Sequence, residues 1–225
     1  HFRPDQNGDL FFNGVASDVN RRLYSGGLQG DASYALGNYH TVRGGLMLLD
    51  ESLTADSATT VFQMDSIDPN TFNPTGGGPN TIIQNNTGDA LFYGAYLQDE
   101  WRLTDKLTLN YGARFDVYSS SFDHENQLSP RLNAIYQLTK KTTLHAGYSR
   151  YFTPPPIENV PAGNVAQFNG TSNESPGGPN AADGAVKAER ANYYDAGITQ
   201  KLTPHLQLGV DGYYKQAKNQ LDDGL

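Results

Sequence analysis

Residues 91–117 read LFYGAYLQDEWRLTDKLTLNYGARFDV, two runs of alternating apolar and polar residues joined by a short polar turn. In the second run Leu109, Tyr111 and Phe115 share one parity, while Asn110 and Arg114 share the other. Alternation with period two predicts an antiparallel β-hairpin that has one apolar and one polar face. The second run is about 11 residues long, which is the length of a tilted strand that crosses a bilayer.

The turn phrase of this hairpin recurs along the chain. Its copies are LTDKLTL (103–109), LTKKTTL (138–144), LTPHLQL (202–208) and, in weaker form, LGNYHTV (36–42). Alternating stretches flank each copy, and repeated strand–turn–strand units predict one sheet of similar hairpins. The predicted hairpins lie at about 21–50, 90–118, 128–152 and 190–217. The chain is therefore predicted to be a single all-β region, residues 1–225, with about eight antiparallel strands.

The connections between these hairpins are predicted to be long loops, at 52–88, 119–127 and 153–188. Long loops are uncommon in compact soluble domains. Short turns at one end and long loops at the other are typical of bacterial outer-membrane β-barrels. A soluble sandwich or barrel also has alternating strands, but the predicted strands are about twice the usual five to six residues. Aromatic residues near both strand ends likewise favour the membrane barrel.

The composition excludes several other classes of protein. The 225 residues carry a formal charge of −8, and the mean hydropathy is −0.59. No run of about 18 apolar residues occurs, which excludes a membrane helix, and the negative charge argues against nucleic-acid binding. A membrane β-barrel is compatible with this polarity because only alternate residues face lipid. Cysteine is absent, so there is no disulfide framework.

Three segments resemble barrel strands of TonB-dependent outer-membrane receptors. They are YLQDEWRLTDKLTLNYGARFD (96–116), NQLSPRLNAIYQLTKKTTLHAGYSRYFTPPP (126–156) and NYYDAGITQKLTPHLQLGVDGYYK (192–215). The ordered elements are an aromatic-x-Gln-Asp-x-Trp strand, a tight turn, Gly-x-Arg-aromatic-Asp, Ser-Pro-Arg, and Gly-Tyr-x-Arg-x-Phe before a proline-containing loop. The resemblance covers most of residues 21–219.

The resemblance implies a 22-stranded barrel of the bacterial outer membrane, with a plug domain in its lumen. It also implies energised uptake of a scarce or bulky ligand, driven by the TonB complex through the plug region. With about eight strands and no segment that reads as a plug, the chain is expected to be an internal piece of the barrel wall. Its surroundings would be outer-membrane lipid and lipopolysaccharide. A complete eight-stranded outer-membrane barrel with a structural or adhesive role is the alternative.

No catalytic, cofactor-binding or metal-ligating constellation stands out in the sequence, so we expect no enzymatic activity. The five His residues are scattered, and neither a phosphate-binding loop nor a Gly-x-Ser-x-Gly elbow occurs. Charged residues of the lumen parity are expected to pair across strands. These residues are Arg114, Asp116, Arg131, Asp195, Asp211 and Lys215.

Tyr151, Phe152 and Pro154 begin the connection 153–188 and are candidates for proximity to a ligand at the barrel mouth. They would equally suit an aromatic girdle followed by a stiff loop exit. Asp99 shares the apolar parity of Trp101, which would place a carboxylate towards lipid. It is expected either to lie at the membrane interface or to be rotated inward by a bulge.

Residues 44–101 contain eight acidic side chains and no Lys or Arg. This segment is expected to be solvated or bridged to lipopolysaccharide by divalent cations. The second hypothesis is that its field attracts cationic ligands.

Overall fold

A computed structural model of the chain describes residues 9–10, 13–64, 78–121, 123–157, 165–174 and 186–220. The strands are β1 Val15–Leu36, β2 His40–Val61, β3 Asn80–Arg102, β4 Leu107–Ser120, β5 His124–Thr139, β6 Thr142–Thr153, β7 Glu189–Thr203 and β8 Leu206–Lys218. A single turn of 3-10 helix, Val165–Phe168, lies in the connection between β6 and β7. In the described ranges no helix is both long and apolar enough to cross a membrane.

All eight strands belong to one sheet, in the order β1-β2-β3-β4-β5-β6-β7-β8. Each strand is hydrogen-bonded to its neighbours in sequence. The pairs from β4 to β8 are antiparallel, and the register shifts near two of the turns, between residues 137 and 139 and between residues 201 and 203. The predicted fold class, an all-β antiparallel sheet of eight strands, is confirmed. The outer strands of this order are β1 and β8.

The repeated Thr of the turn phrase has a structural role. The hydroxyl of Thr104 accepts hydrogen bonds from the N–H groups of Lys106 and Leu107, at 3.2 and 3.0 Å. Thr139 accepts equivalent bonds from residues 141 and 142, and Thr203 accepts one from residue 205. Side-chain oxygens of this kind reproduce a backbone turn. The first turn lacks this Thr and uses Gly37, whose φ of 66° is costly for other residues.

The exposure of the side chains is inverted relative to that of a soluble protein. Leu97 is 64% exposed and Val210 is 63% exposed, whereas Asp116 and Gln127 are each 3% exposed. Residues on one face of a strand alternate with those on the other. In β4, for example, Phe115 is exposed while its neighbour Asp116 is buried. The apolar face of the sheet is thus the one left open.

Strands β1 to β3 are longer than the sequence predicted. Each has 22 or 23 residues, so the predicted hairpin at 21–50 extends to 15–61, and the predicted loop 52–88 is strand over 52–61 and 80–88. The alternation in 52–61 is masked by Ser, Thr and Asp, yet Leu53, Thr59 and Val61 are buried on one parity. The polar composition of the segment concealed this buried face.

The predicted loop 119–127 is also shorter than expected. β4 ends at Ser120 and β5 begins at His124, leaving residues 121–123 as the connection. Glu125 and Gln127 looked like loop residues because they are polar, but both side chains are buried in hydrogen bonds described below. The predicted loop 153–188 remains a long connection, and part of it lies outside the described residues.

The described residues fall into two compact units. The first takes those within 1–25, 51–90 and 156–186, and the second those within 26–50, 91–155 and 187–225. In the first unit the β6–β7 connection pairs with the segment just after β2 through an isolated bridge, Gln63↔Thr171. Ser172 strengthens this contact, since its N–H donates to the carbonyl of Phe62 and its hydroxyl accepts from the N–H of Phe62. The second unit contains the four turns and the site residues.

Candidate functional site

The polar face of the second unit is a network in which side chains meet over glycine. His145 on β6 and Asp211 on β8 lie two strands apart, roughly 10 Å at ordinary strand spacing. Both are in the register row of Gly197, on the intervening strand β7. His145 Nε2 lies 2.9 Å from Asp211 Oδ1 and 3.8 Å from Asp195 Oδ2. A Cβ at position 197 would lie 2.5 Å from His145 Cε1, so only glycine leaves room for this contact.

The same arrangement occurs at the other end of the sheet order. The hydroxyl of Tyr96 on β3 donates to Asp31 on β1 at 2.7 Å, across Gly45 on β2. A Cβ at position 45 would lie 2.5 Å from Tyr96 Cε1. Sequence analysis missed this bridge, although glycines at polar-face positions opposite Asp or Tyr are a signal for it.

The predicted lumen charges lie on this polar face, but their predicted cross-strand pairing is only partly right. Asp116 pairs with Arg114 of its own strand, Nε to Oδ1 at 2.6 Å, because side chains two apart share a face. Lys215 pairs with Glu189 of the neighbouring strand at 2.7 Å. Arg131 forms no ion pair with any residue of the described ranges, and it stands in register with Gly112 and Ser149.

Two rows of tyrosines lie on opposite faces of the sheet, towards the strand ends that are far from the turns. Tyr148, Tyr194 and Tyr214 are cross-strand partners on the apolar face, with ring centroids 5.1 and 6.3 Å apart. The polar face carries a second row, in which Tyr193 contacts two rings at 6.2 and 5.6 Å. That row consists of Tyr151, Tyr193 and Tyr213. Tyr151 therefore has the parity of the polar face and not that of the apolar row.

Side chains link the strands where β5 and β6 separate. We call the cluster of Glu125, Gln127 and Arg190 the clamp. The β5–β6 register ends at the pair Arg131↔Ser149, whereas β6 continues along β7 to Thr153↔Glu189. Pro130, which has no N–H to donate, stands beside the last pair. Beyond it, Gln127 Nε2 donates to the carbonyl of Tyr151 at 2.9 Å.

Arg190 and Glu125 complete this clamp. Arg190 Nη2 donates to Glu125 Oε2 at 2.6 Å, and its Nη1 donates to the carbonyl of Asn126 at 3.1 Å. Glu125 Oε1 accepts the N–H of Ala188 at 2.7 Å. The clamp thus satisfies backbone groups that the β5–β6 ladder leaves free, which buried structure requires. The sequence gives few signals for these residues, because they are far apart in the chain.

The clamp fixes the two ends of the β6–β7 connection. The guanidinium of Arg190 lies 5.3 Å from the ring centroid of Phe152, and Phe152 stacks on Phe92 at 6.5 Å. Both Phe152 and Tyr151 are thus held by the clamp. Pro154 follows directly and is half-buried. The three residues proposed to lie near a ligand are therefore adjacent and anchored, and their contact with a ligand stays a prediction.

Asp99 lies on the apolar face close to a turn. Its Oδ2 lies 2.6 Å from His40 Nδ1 and accepts the hydroxyl of Tyr111 at 3.0 Å. The His40 ring stacks on Trp101 with a centroid distance of 5.4 Å. Two polar partners therefore accompany the carboxylate near the turn, and its place at the membrane interface stays a prediction.

The arrangement is that of a sheet with one polar and one apolar face. Within the described residues, no three His, Asp or Glu side chains are placed to hold a metal ion. Apart from Arg131, the charged groups of the polar face described above pair with one another, and the apolar face is open. Membrane β-barrels have this distribution, with the apolar face towards lipid and the polar face towards the aqueous interior.

Comparison with known proteins agrees with this geometry. The family model described as TonB dependent receptor-like, beta-barrel matches residues 2–224. The TonB-dependent transporter Oar of Myxococcus xanthus is 33% identical over 73 residues, which cover 28% of this chain and 7% of Oar.

Solved structures share the fold at low identity. The ferric yersiniabactin uptake receptor FyuA of Yersinia pestis superimposes with a TM-score of 0.64 at 17% identity, over 91% of this chain and 30% of FyuA. The unliganded ferric citrate transporter FecA gives a TM-score of 0.63 at 19% identity, over 93% of this chain and 30% of FecA. The chain thus spans about a third or less of the proteins it matches. It belongs to the TonB dependent receptor-like β-barrel family, whose members are receptors and transporters of the bacterial outer membrane.

Proposed function

We propose that this chain forms part of the barrel wall of a receptor that takes up a scarce or bulky ligand, energised by the TonB complex. The observation that carries the proposal is the inverted sheet, with leucines and valines open on one face and charged residues in contact on the other. A lipid-facing outer surface and a polar lumen require this distribution. The TonB complex would act through a plug region of the complete receptor.

The other proposed contacts follow from the same orientation. Tyr151, Phe152 and Pro154 would lie at the mouth, where a ligand enters. Lipopolysaccharide would border the acidic residues of segment 44–101 that lie far from the turns, since divalent cations can bridge carboxylates and phosphates. No catalytic step is proposed, because the family is one of receptors and transporters.

A complete eight-stranded barrel is not favoured. Such a barrel would pair its first and last strands so that no edge remains in lipid. Across the described residues the sheet order begins at β1 and ends at β8. The similar structures are also about three times longer than this chain.

Uptake by cells that express the complete receptor tests the proposal. The probes are ferric siderophores, cobalamin, a maltodextrin and a peptide, each labelled, in cells with and without the receptor gene. We expect one probe to enter only when the gene is present and to stop entering when an uncoupler collapses the proton gradient. Uptake that continues with the uncoupler, or a receptor absent from the outer-membrane fraction, would contradict the proposal.

A further inference from the structure

The turn end of the sheet carries a charge opposite to that of the rest of the chain. We define the turn rim as residues 36–40, 102–107, 139–142 and 201–206, the four turns with their flanking residues. The rim holds five of the 16 Lys and Arg residues but one of the 24 acids, which leaves 11 cations against 23 acids elsewhere. The rim cations are Arg102, Lys106, Lys140, Lys141 and Lys201. The positive charge of the rim attracts anionic partners, although the protein as a whole is acidic.

The rim cations lack the carboxylate partners that five other cations of the described residues have. Arg43, Arg114, Lys187, Arg190 and Lys215 each lie 3.7 Å or less from a carboxylate. None of the five rim cations forms an ion pair with the described part of the chain, and all five are exposed. Their charge is therefore available to a partner outside the chain.

The rim cations are held beside an apolar band. The Thr hydroxyls order three of the turns, as described above, so the cations at the turn tips have fixed backbone positions. A leucine precedes each turn, and all four are exposed on the apolar face. They are Leu36, Leu103, Leu138 and Leu202. In three of the four turns the exposed leucine has a cation within two residues, which matches the boundary between acyl chains and headgroups.

We propose that the turn rim binds the phosphates of anionic phospholipids in the leaflet that borders the short turns. In an outer-membrane barrel the short turns are periplasmic, so this is the inner leaflet, and that assignment rests on the orientation in the proposed function. The leucines contact the acyl chains while the lysines contact the phosphates. Each cation near an anionic leaflet contributes about fivefold to binding, or about 1 kcal/mol.

Lipid binding to the complete receptor tests this inference without any transported ligand. The purified receptor is equilibrated with mixed micelles of phosphatidylglycerol and phosphatidylcholine, and native mass spectrometry counts the bound lipids. The rim variant carries Lys106→Gln, Lys140→Gln, Lys141→Gln and Lys201→Gln. The control variant loses four exposed cations from the opposite strand ends through Arg21→Gln, Arg22→Gln, Arg150→Gln and Lys218→Gln.

We expect the wild type and the control to prefer phosphatidylglycerol, and the rim variant to lose at least about tenfold of that preference. The preference should fall when salt is raised from about 0.1 to 1 M, where the screening length shortens from about 10 to 3 Å. Millimolar inorganic phosphate should not displace the lipid, because it lacks acyl chains to contact the leucines. Equal preference in both variants, or displacement by free phosphate, would overturn the inference. Heat-modifiable migration shows whether each variant is folded, and uptake is read separately, so failure of the proposed function is distinguishable.

Discussion

The Glu125 carboxylate should oppose local unfolding of the sheet where β5 and β6 separate. We consider Glu125→Ala in the complete receptor. The substitution removes the acceptor of the Ala188 N–H, at 2.7 Å, and the partner of Arg190 Nη2, at 2.6 Å. Arg190 keeps its bonds to the Asn126 carbonyl and the Gln127 amide oxygen. The Ala188 N–H, in contrast, becomes a buried donor without an acceptor.

The size of the effect follows from the burial of the pair. The Glu125 side chain is 8% exposed and that of Arg190 is 30% exposed. Breaking a fully buried pair costs about 3–5 kcal/mol, and losing a hydrogen bond to a charged group costs about 1.5–3 kcal/mol. Since Arg190 is partly solvated and retains two acceptors, we expect about 2–3 kcal/mol. When amide hydrogen exchange follows the equilibrium of local opening, a loss of this free energy makes the Ala188 amide exchange roughly 30- to 150-fold faster.

Hydrogen–deuterium exchange with mass spectrometry, on the receptor in micelles, measures this rate. Glu189→Ala is the matched control, because Glu189 lies one residue away from Ala188 and pairs with Lys215 at a more exposed site. Exposed pairs contribute about 0–1 kcal/mol, so exchange at Ala188 should change by less than about fivefold. An exchange rate of the Ala188 amide in Glu125→Ala within about threefold of the wild-type rate would contradict this prediction. Acceleration everywhere, including residues 132–138, would instead show global destabilisation.

Three further substitutions test the sheet itself. Gly197→Ala places a methyl group where an imidazole and a carboxylate meet. Overpacking of about 1–3 kcal/mol should lower the urea midpoint of unfolding. Gly209→Ala should leave that midpoint unchanged, because the nearest neighbour of the added Cβ is 3.7 Å away. Ile198→Arg on the apolar face should lower the free energy of unfolding by up to about 2–4 kcal/mol in lipid, depending on its depth. Thr199→Arg on the polar face should lower it by less than about 1 kcal/mol. Unfolding in vesicles measures both. Thr139→Val removes the acceptor of two turn N–H groups and should cost about 1 kcal/mol in the same unfolding measurement.

The faces of the strands could be predicted because a period of two is a local property. Arg114, Asp116 and Asp211 needed only the parity of their neighbours to be placed on the polar face. Their partners could not be predicted in the same way. A same-strand partner such as Arg114 for Asp116 competes with cross-strand partners of equal chemistry, and only the register decides between them.

The strand ends illustrate a second reason for error. Residues 52–61 and 124–127 contain few apolar residues, so composition favours loops. Leu53 and Val61 are nevertheless buried in the first unit, and Glu125 is buried against Arg190. Burial by distant parts of the chain overrides a weak local preference for strand.

The sequence by itself determined the number of hairpins, the face of most strand residues and the chemistry of the turns, because each depends on residues within a few positions. The tertiary structure alone decided how far β1 to β3 extend, which charges meet over Gly197, and that Arg190 reaches Glu125 from 65 positions away. These contacts depend on the register between strands and on space left by absent side chains. Neither quantity is encoded by local periodicity, since both arise only when the strands are side by side.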